Sequence, residues 1–579
     1  MKLDLVKLTN FRSIKKCIVQ TSDITALIGE NNSGKSALLR GLNSFFNYSD
    51  EECDFIKGYH QYTPRSRPTI ELVFSSLPED LSLAQNARED GKLTLRLQYR
   101  PQTKKVSFSY KNNENKYTSI DEDTITKLKK HINFVLIPPA RELSEIQKAE
   151  TNVLNELIET YLDKATGERD NINPKFRQAA KYLEDNALKK IARSISKFYI
   201  LRHDFGYHIK FGENLNYKDF LSKITILIQE GLASHQLYNC GTGIQSITII
   251  ALYRLLSSLQ HKNIILGIEE PETNLHPQAQ KELIYSLKNS IGCDNLSQIV
   301  LTTHAPLIID QIDHTQVALF RKVKSSDTKR SLKTEVTAAS GNFFDTHNLD
   351  TKKYSQFHIY RNSDFFYAKL VVIVESRIDA EVIKYLLQSK GYNLDVYGVS
   401  IINLDGVANL KYPLFLIEEL KIPHLIVVDK DFFIPYINGK RANSLDGQGF
   451  PKYKYEYKRQ CPVEKLIPNA ERRQQLLRLF KTNHSKALDL LERNHLVCMK
   501  YALEVDLISS DKAAEAFYEV LSIPPESRNK QELLIRRHQT IKSLDNILAV
   551  LEQIGNRNLP RSYSRIRKII IDNLKSATQ

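Results

Sequence analysis

Two sets of residues in this 579-residue chain have the types and spacing that phosphate chemistry requires. The first is Gly29-Glu-Asn-Asn-Ser-Gly-Lys35-Ser36, which fits the P-loop pattern G-x-x-x-x-G-K-[ST] between a strand-like run, ITALIG, and a helical one, ALLRGLNSFF. Gly29 and Gly34 allow the backbone N–H groups between them, those of Asn31 and Asn32 included, to curl around a phosphate. The helix N-terminus adds partial positive charge. Lys35 is expected to reach the β- and γ-phosphates of ATP and Ser36 to ligate Mg²⁺. The complement to this loop is expected about 230 residues further on. There Ile264-Ile-Leu-Gly-Ile-Glu269-Glu270-Pro is an apolar strand ending in two carboxylates, one for the metal's water shell and one to polarise the attacking water. Gln298-Ile-Val-Leu-Thr-Thr-His304 is a second strand, ending in histidine. Gly241-Thr-Gly243-Ile-Gln245 opens a helix, and a glycine turn of that kind can bind the γ-phosphate of a second subunit.

The second set is acidic. Val371-Val-Ile-Val-Glu375-Ser376-Arg377-Ile378-Asp379 places two carboxylates at one strand–helix turn, and Leu425-Ile-Val-Val-Asp429-Lys430-Asp431 ends another strand in Asp-x-Asp. Residues two apart in a strand face one side, so Asp429 and Asp431 are expected to share a site. Carboxylates at the C-terminal ends of parallel strands are a common place for an α/β active site. Clustered oxygen ligands suit Mg²⁺ or Mn²⁺ better than zinc. Two such ions can activate a water and stabilise the leaving oxygen of a phosphodiester. Singly, each acidic residue reads as a solvated strand end or a helix cap; only the joint pattern favours metal.

The elements that must position these residues follow from periodicity. Residues 1–140 read as strands around the glycine-rich loop, 141–235 as a helical insertion, for which a dimerisation or partner-binding role is expected, and 236–340 as a return to strand–helix alternation. Residues 341–365 read as a connector, and 366–579 as a second βαβ series with a helical, basic tail. Such alternation implies parallel sheets covered by helices, an α/β fold.

Composition narrows the partners. The formal net charge of +15 favours a polyanion such as DNA. The tail Arg557…Arg561-Ser-Tyr563-Ser-Arg565-Ile-Arg567-Lys568 and the segment Lys452-Tyr-Lys454-Tyr-Glu-Tyr-Lys458-Arg459 interleave cations with tyrosine, either as phosphate grips or as solvated basic faces. Six scattered cysteines, with no C-x-x-C pair, point neither to a disulfide framework nor to zinc. No run approaches the roughly 18 apolar residues of a membrane helix, and the first residues lack a signal-peptide core, so a cytoplasmic protein with no membrane partner is expected.

The first set, in this order, resembles the ABC ATPase superfamily, and Leu8-Thr-Asn-Phe11-Arg12-Ser13 resembles the opening of its RecF/SMC-like branch. The chain departs from that pattern in Glu269, where aspartate is usual, and in a shortened signature at Gly241–Gln245. Gln98 is the candidate for the glutamine loop, with a strand-surface glutamine as its bland alternative. The acidic set resembles a Toprim domain, with Ser376 and Asp379 where glycine and glutamate are usual. ABC ATPase followed by Toprim resembles the OLD (overcoming lysogenisation defect) family of nucleases. That resemblance implies a nucleotide-regulated, metal-dependent DNA endonuclease. It implies further catalytic or metal-binding roles for Glu504 and Asp506 in Leu503-Glu504-Val505-Asp506-Leu507, and a charge-stabilising lysine, Lys542, with Lys568 competing. Length, domain order and the Leu-Glu-x-Asp-Leu segment are similar to the Gabija A branch of the family. This implies antiphage defence, a homo-oligomer and a UvrD-like helicase partner, the Gabija B subunit. The alternatives are an ATP-sensing protein that acts on RNA such as tRNA or recruits another effector, and a RecF-like repair ATPase.

Overall fold

The structure is a computed structural model, and it describes residues 1–79, 81, 90–139, 153–158, 160, 181–198, 205–210, 224–260, 263–273, 275–291, 296–325, 332–359, 363–459 and 461–578. The chain divides into two compact units, Met1–Gly341 and Asn342–Gln579.

In the first unit, β1 (Lys2–Phe11) buries Leu3, Val6, Leu8 and Phe11 on one face. It joins β2 (Ile14–Gln20), β4 (Thr69–Ser75), β5 (Leu93–Arg100), β6 (Lys105–Lys111) and β7 (Tyr117–Ile120) in an antiparallel sheet of order β2-β1-β4-β5-β6-β7. The second sheet runs β15-β14-β3-β13-β12-β8. Its strands are β3 (Ile24–Gly29), β8 (Ile132–Ile137), β12 (Asn263–Glu269), β13 (Leu296–Thr302), β14 (Val317–Lys324) and β15 (Leu332–Ala338). From β14 to β8 it is parallel, and β15 pairs antiparallel at the edge. Strand β3 is buried on both faces, which is why its sequence is a continuous apolar run rather than an alternation. Helix α1 (Lys35–Phe46) packs Leu38, Leu42, Phe45 and Phe46 into one core with residues of both sheets, anchoring the loop that precedes it.

Residues 141–235, expected to be helical, carry more than helices. Their described part also contains a three-stranded antiparallel sheet of β9 (Phe205–Lys210), β10 (Thr225–Glu230) and β11 (Ala233–Gln236). Tyr207 and Ile209, and likewise Ile226 and Ile228, are buried at a spacing of two, a strand period that the surrounding helical pattern masks. This sheet shares a core with α2 (Lys189–Phe198) and with α3 (Thr242–Gln260).

In the second unit, β16 (Leu370–Val374), β17 (Val399–Asn403), β18 (His424–Val428) and β19 (Leu496–Cys498) form a parallel sheet of order β17-β16-β18-β19. Helix α4 (Arg377–Gln388) leaves the end of β16 and packs with the C-terminal helices, including α5 (Leu503–Ser509) and α6 (Arg561–Thr578). The expected connector is a packed part of this unit. Phe343 and Tyr354 meet edge to face, and His347 stacks on Phe415 at 4.4 Å. Aromatic residues in a polar stretch are here core, not linker. Among the described residues no helix is long and apolar enough to cross a membrane.

Candidate functional site

The glycine-rich loop joins β3 to α1 in the geometry its sequence demands. Gly29 has φ 132°, and a β-carbon there would lie 2.0 Å from the Phe320 carbonyl oxygen, so no other residue fits. Gly34 has φ 110° at the N-terminus of α1, and Asn32 is left-handed at φ 61°. The Lys35 ammonium donates to the carbonyls of Gly29 at 2.9 Å and Glu30 at 2.8 Å. Burial pulls its pKa down to about 8, against the opposing pull of Glu270, Glu272 and Glu30. A cavity of about 560 Å³ opens over the loop, lined by Asn31, Asn32, Gly34, Lys35 and Ser36 together with Glu270, Thr302 and His304. β13 lies between β3 and β12 in the sheet, so the ends of all three strands meet at the loop. This is how residues more than 230 positions apart share one cavity.

Glu269 ends β12 and is buried, whereas Glu270 turns to φ 45° and faces the cavity. Gly241, Gly243 and Gln245 start α3 away from the cavity lining, and Gln245 donates to the Cys240 carbonyl at 2.9 Å. Gln98 lies in β5 and donates to Thr69 at 3.3 Å, so it plays no part in the cavity. The glutamine at the site is Gln61, whose buried Oε1 has no hydrogen-bond partner.

Sequence reasoning missed three further groups. Glu272 accepts the His304 backbone N–H at 2.7 Å and so fixes the histidine turn. Arg12 lines the cavity, and its Nε–H donates to His60 Nδ1 at 3.0 Å. His60 is fully buried, stacked on Phe11, and hydrogen-bonded through Nε2 to Glu51 at 2.9 Å. Glu51, Asp54 and His60 are close enough to hold an ion, but Arg12, Arg40 and Asn43 already supply donors to the two carboxylates. Glu272 and His60 belong to no short motif, and the Leu8–Ser13 motif assigns Arg12 no partner; Arg12 and His60 meet because the turn after Phe11 lies against the loop at 60, where the Arg12 N–H donates to the His60 carbonyl at 2.9 Å.

In the second unit, β16 and β18 are neighbours, so Glu375 and Asp429, each just past its strand, stand side by side at the C-terminal edge. One ligand atom from each of Glu375, Asp429 and Asp431 lies within 4.8 Å of the others. The expected strand alternation is not what unites the two aspartates. Strand β18 stops at Val428, and a 3₁₀ turn, Lys430–Phe432, carries Asp431 back to the site. Lys430 is buried, with its ammonium near the rings of Tyr453 and Phe480 at 5.1 and 5.6 Å.

Glu375 is pushed up to about 7 by burial, then by Asp431 and Asp379. Burial, then Asp379, Glu504, Glu375 and Asp431, raise Asp429 well above the ordinary range. Oε2 of Glu375 is buried without a hydrogen-bond partner. Hard oxygen donors, mutual repulsion and an unpartnered oxygen fit a divalent cation such as Mg²⁺ or Mn²⁺. Asp379 is a second neighbour. It closes a capping box in which its Oδ2 accepts from the Ser376 N–H at 2.9 Å and the Ser376 hydroxyl at 2.8 Å. The serine that replaces glycine here thus holds the shorter acid in place.

The later acids separate. Glu504 is buried beside Arg441 at 2.7 Å and His538 at 3.5 Å. Burial would raise its pKa, but the His538 hydrogen bond, Arg441 and Lys542 hold it at about 2. Asp506, expected among the metal ligands, is a backbone clamp. Its two oxygens accept the N–H groups of Lys500 and Tyr501, both at 2.8 Å, and it is 1% exposed. Lys542 lowers the pKa of Glu375, Asp379 and Glu504, which sets its charge near the carboxylates. Lys458, from the basic tyrosine-rich segment, pairs with Asp431 at 3.2 Å. The basic tail is less available than its sequence suggests. Tyr563 is fully buried and donates to the Leu503 carbonyl, Arg567 is buried, and Arg565 is paired with Asp489 and Glu492.

Because Glu375 titrates near neutrality in the fold and at about 4.5 in an unfolded chain, its ionisation costs stability as pH rises through about 7. A bound cation removes that cost and must displace a proton below it. The Mg²⁺ concentration giving half of the thermal stabilisation is therefore expected to fall severalfold between about pH 6 and about pH 8. Glu375→Gln should flatten this dependence. A midpoint in the unsubstituted protein that does not move with pH would contradict the assignment.

Comparison with known proteins agrees with this geometry. Residues 24–310 match the family model described as an AAA domain, putative AbiEii toxin, Type IV TA system. Residues 366–431 match the overcoming lysogenization defect protein-like TOPRIM domain. Endonuclease GajA from Bacillus cereus (strain HuB5-5) is 29% identical over 189 residues, 30% of this chain and 27% of that protein. The OLD nuclease of Thermus scotoductus (strain ATCC 700910 / SA-01) is 27% identical over 33% of this chain and 35% of its own length. The Old nuclease of Escherichia phage P2 is 23% identical over 75% of this chain and 78% of its own. The chain thus spans about a third or less of the first two relatives' length. The SMC head domain from Thermotoga maritima aligns with 59% of this chain and all of that chain, at 13% identity and a TM-score of 0.34.

A nucleotide-binding ATPase domain followed in one chain by a Toprim carboxylate site defines the class of protein. Residues 366–431 carry the Toprim domain of the OLD-like type, and the chain has distant similarity to GajA and the OLD nucleases.

Proposed function

We propose that the chain is a metal-dependent DNA endonuclease whose Toprim unit cuts phosphodiester bonds and whose ATPase unit regulates it through bound ATP. The observation that carries this reading is the carboxylate cluster of Glu375, Asp429 and Asp431, with its unpartnered buried oxygen. These three would hold the divalent cations, with Asp379 beside them. When bound, the cations supply a metal-activated water and charge neutralisation at the leaving oxygen. The protein's own groups orient the rest: Lys542 and Lys458 bring positive charge to the phosphate. The overall charge of +15 attracts the nucleic-acid strand.

In the ATPase unit, Lys35 and the loop N–H groups bind the phosphates, and Ser36 and Glu269 serve the Mg²⁺. Glu270 and Gln61 orient the attacking water, and His304 reads the γ-phosphate. Gly241, Gly243 and Gln245, lying off the cavity, act on the nucleotide of a second copy, so the working unit is a homo-oligomer, and residues 141–235 serve its assembly. The similarity to GajA supports a role in antiphage defence beside a UvrD-like helicase. The test is cleavage of supercoiled plasmid by the full chain with Mg²⁺ or Mn²⁺, with and without ATP. Metal-dependent nicking or linearisation supports the reading, and the ATP lanes give the sign of regulation. RNA cleavage with intact DNA would replace the substrate class.

A further inference from the structure

The carboxylates of the Toprim site leave one cation unaccounted for. Arg441 sits in a 3₁₀ turn, Arg441–Asn443, in the segment that follows β18 and its aspartate turn. Its Nη1 donates to Glu504 Oε1 at 2.7 Å and also contacts His538 Nε2. The guanidinium side chain is 15% exposed and the Glu504 side chain 4%. The other arm, Nη2, is buried with no hydrogen-bond partner. The half-buried Tyr436 feels the charges of Asp431, Arg441, Asp429 and Glu504 together, so the guanidinium borders the carboxylate cluster.

A guanidinium is a rigid fork with donors on both edges. Glu504 and His538 both hold Nη1 and so orient the fork. A desolvated donor of a charged group is costly when unpaired, so a buried vacant arm beside an active site calls for an acceptor the chain itself does not provide. Carboxylate and phosphate oxygens are the acceptors that match this geometry. The carboxylates beside it are those assigned to the cations, which leaves the phosphate.

We propose that Arg441 is a catalytic residue of this site, gripping a non-bridging oxygen of the scissile phosphodiester through Nη2, with Glu504 and His538 as the positioning residues that aim it. The proposal rests on the nuclease reading above and changes the role of Glu504, from a cation ligand to the anchor of an arginine. Lys542 and Lys458 supply charge to the same phosphate, but Arg441 supplies direction as well, because its fork is oriented through Nη1 before substrate arrives.

The experiment compares the full-length chain with Arg441→Lys, Arg441→Ala, Glu504→Gln and the double variant Arg441→Ala/Glu504→Gln. Cleavage rate is titrated against Mn²⁺, and binding of a labelled DNA oligonucleotide is measured in Ca²⁺. Arg441→Lys keeps a cation beside Glu504 and removes the second edge of the fork, so it tests the contact even if the alanine variant folds poorly. At saturating metal the rate should fall at least about 10-fold in Arg441→Lys and on the order of 10²-fold in Arg441→Ala. The Mn²⁺ midpoint should stay within about twofold of the unsubstituted chain, and millimolar ethylguanidinium should restore part of the alanine variant's rate. Glu504→Gln should lose rate without raising the metal requirement, and the double variant should be no worse than Arg441→Ala, as expected of residues acting as one unit.

A Glu504→Gln variant that needs far more Mn²⁺ but reaches the full rate would make Glu504 a cation ligand and overturn the proposal. So would an undiminished rate in Arg441→Lys. If the unsubstituted chain cleaves neither DNA nor RNA, the nuclease reading falls. Binding then decides for Arg441 alone: a tenfold or greater loss of affinity in Arg441→Lys sustains a phosphate contact, and unchanged affinity removes it.

Discussion

Glu375→Ala is expected to reduce metal-dependent plasmid cleavage by at least about 10³-fold, to background, while nucleotide binding in the other unit is unchanged. Glu375 is the only member of the cluster contributed by β16, so without it the two aspartates after β18 face a vacancy on one side. The loss cannot be ascribed to unfolding. Burial and its acidic neighbours push Glu375 up to about 7, so its charge is a strain the fold carries rather than a contact that holds it. Removing a buried, repelled carboxylate should leave the metal-free protein as stable or more so, the usual relation between a functional charge and its scaffold. Matching melting temperatures in EDTA together with lost cleavage would establish the site. Cleavage that persists undiminished would place the chemistry elsewhere.

Lys35→Ala is expected to weaken ATP binding by at least about 10²-fold and to abolish the effect of ATP on cleavage, without removing cleavage itself. Lys35 is 6% exposed, and its ammonium is held by the Gly29 and Glu30 carbonyls. Burial lowers its pKa to about 8, so at neutral pH it is still charged in most molecules, and a polyphosphate would favour that charge further. Alanine leaves the loop backbone able to form, since the glycines and α1 set its shape, but removes the buried ammonium that the bend holds. Binding is read with a fluorescent ATP analogue and regulation with the plasmid assay. An ATP effect that survives intact would mean that regulation does not pass through this loop.

These two sites were legible to different depths. The phosphate loop is a local device: glycine spacing, one lysine and a helix start suffice, and Gly29 and Gly34 adopt the positive φ their positions require. The partners Glu270 and His304 were readable because each ends an apolar strand, and a parallel sheet brings such ends together. Asp429 and Asp431 were found by spacing, but a 3₁₀ turn and not strand alternation unites them. The three-stranded sheet of residues 205–236 was hidden because its strands are short and embedded in a helical pattern. Asp506 shows the limit most clearly. Its motif resembles a metal site, yet two backbone N–H groups claim both oxygens.

The sequence alone determined the α/β class, the phosphate loop, the order of the two units and the acidic residues in play. Each of these is written in local periodicity or in short motifs whose residues make their own geometry. Tertiary structure decided which residues are shared between motifs: Gln61 rather than Gln98 at the nucleotide cavity, Lys542 near the carboxylates, and Arg441 against Glu504. It also buried Tyr563 and Arg567, in a tail that the sequence left open between a phosphate grip and a solvated basic face. The physical reason is the same in each case: a side chain's partner, charge and exposure depend on which distant segment packs against it, and a lysine or glutamine carries no local mark of that neighbour.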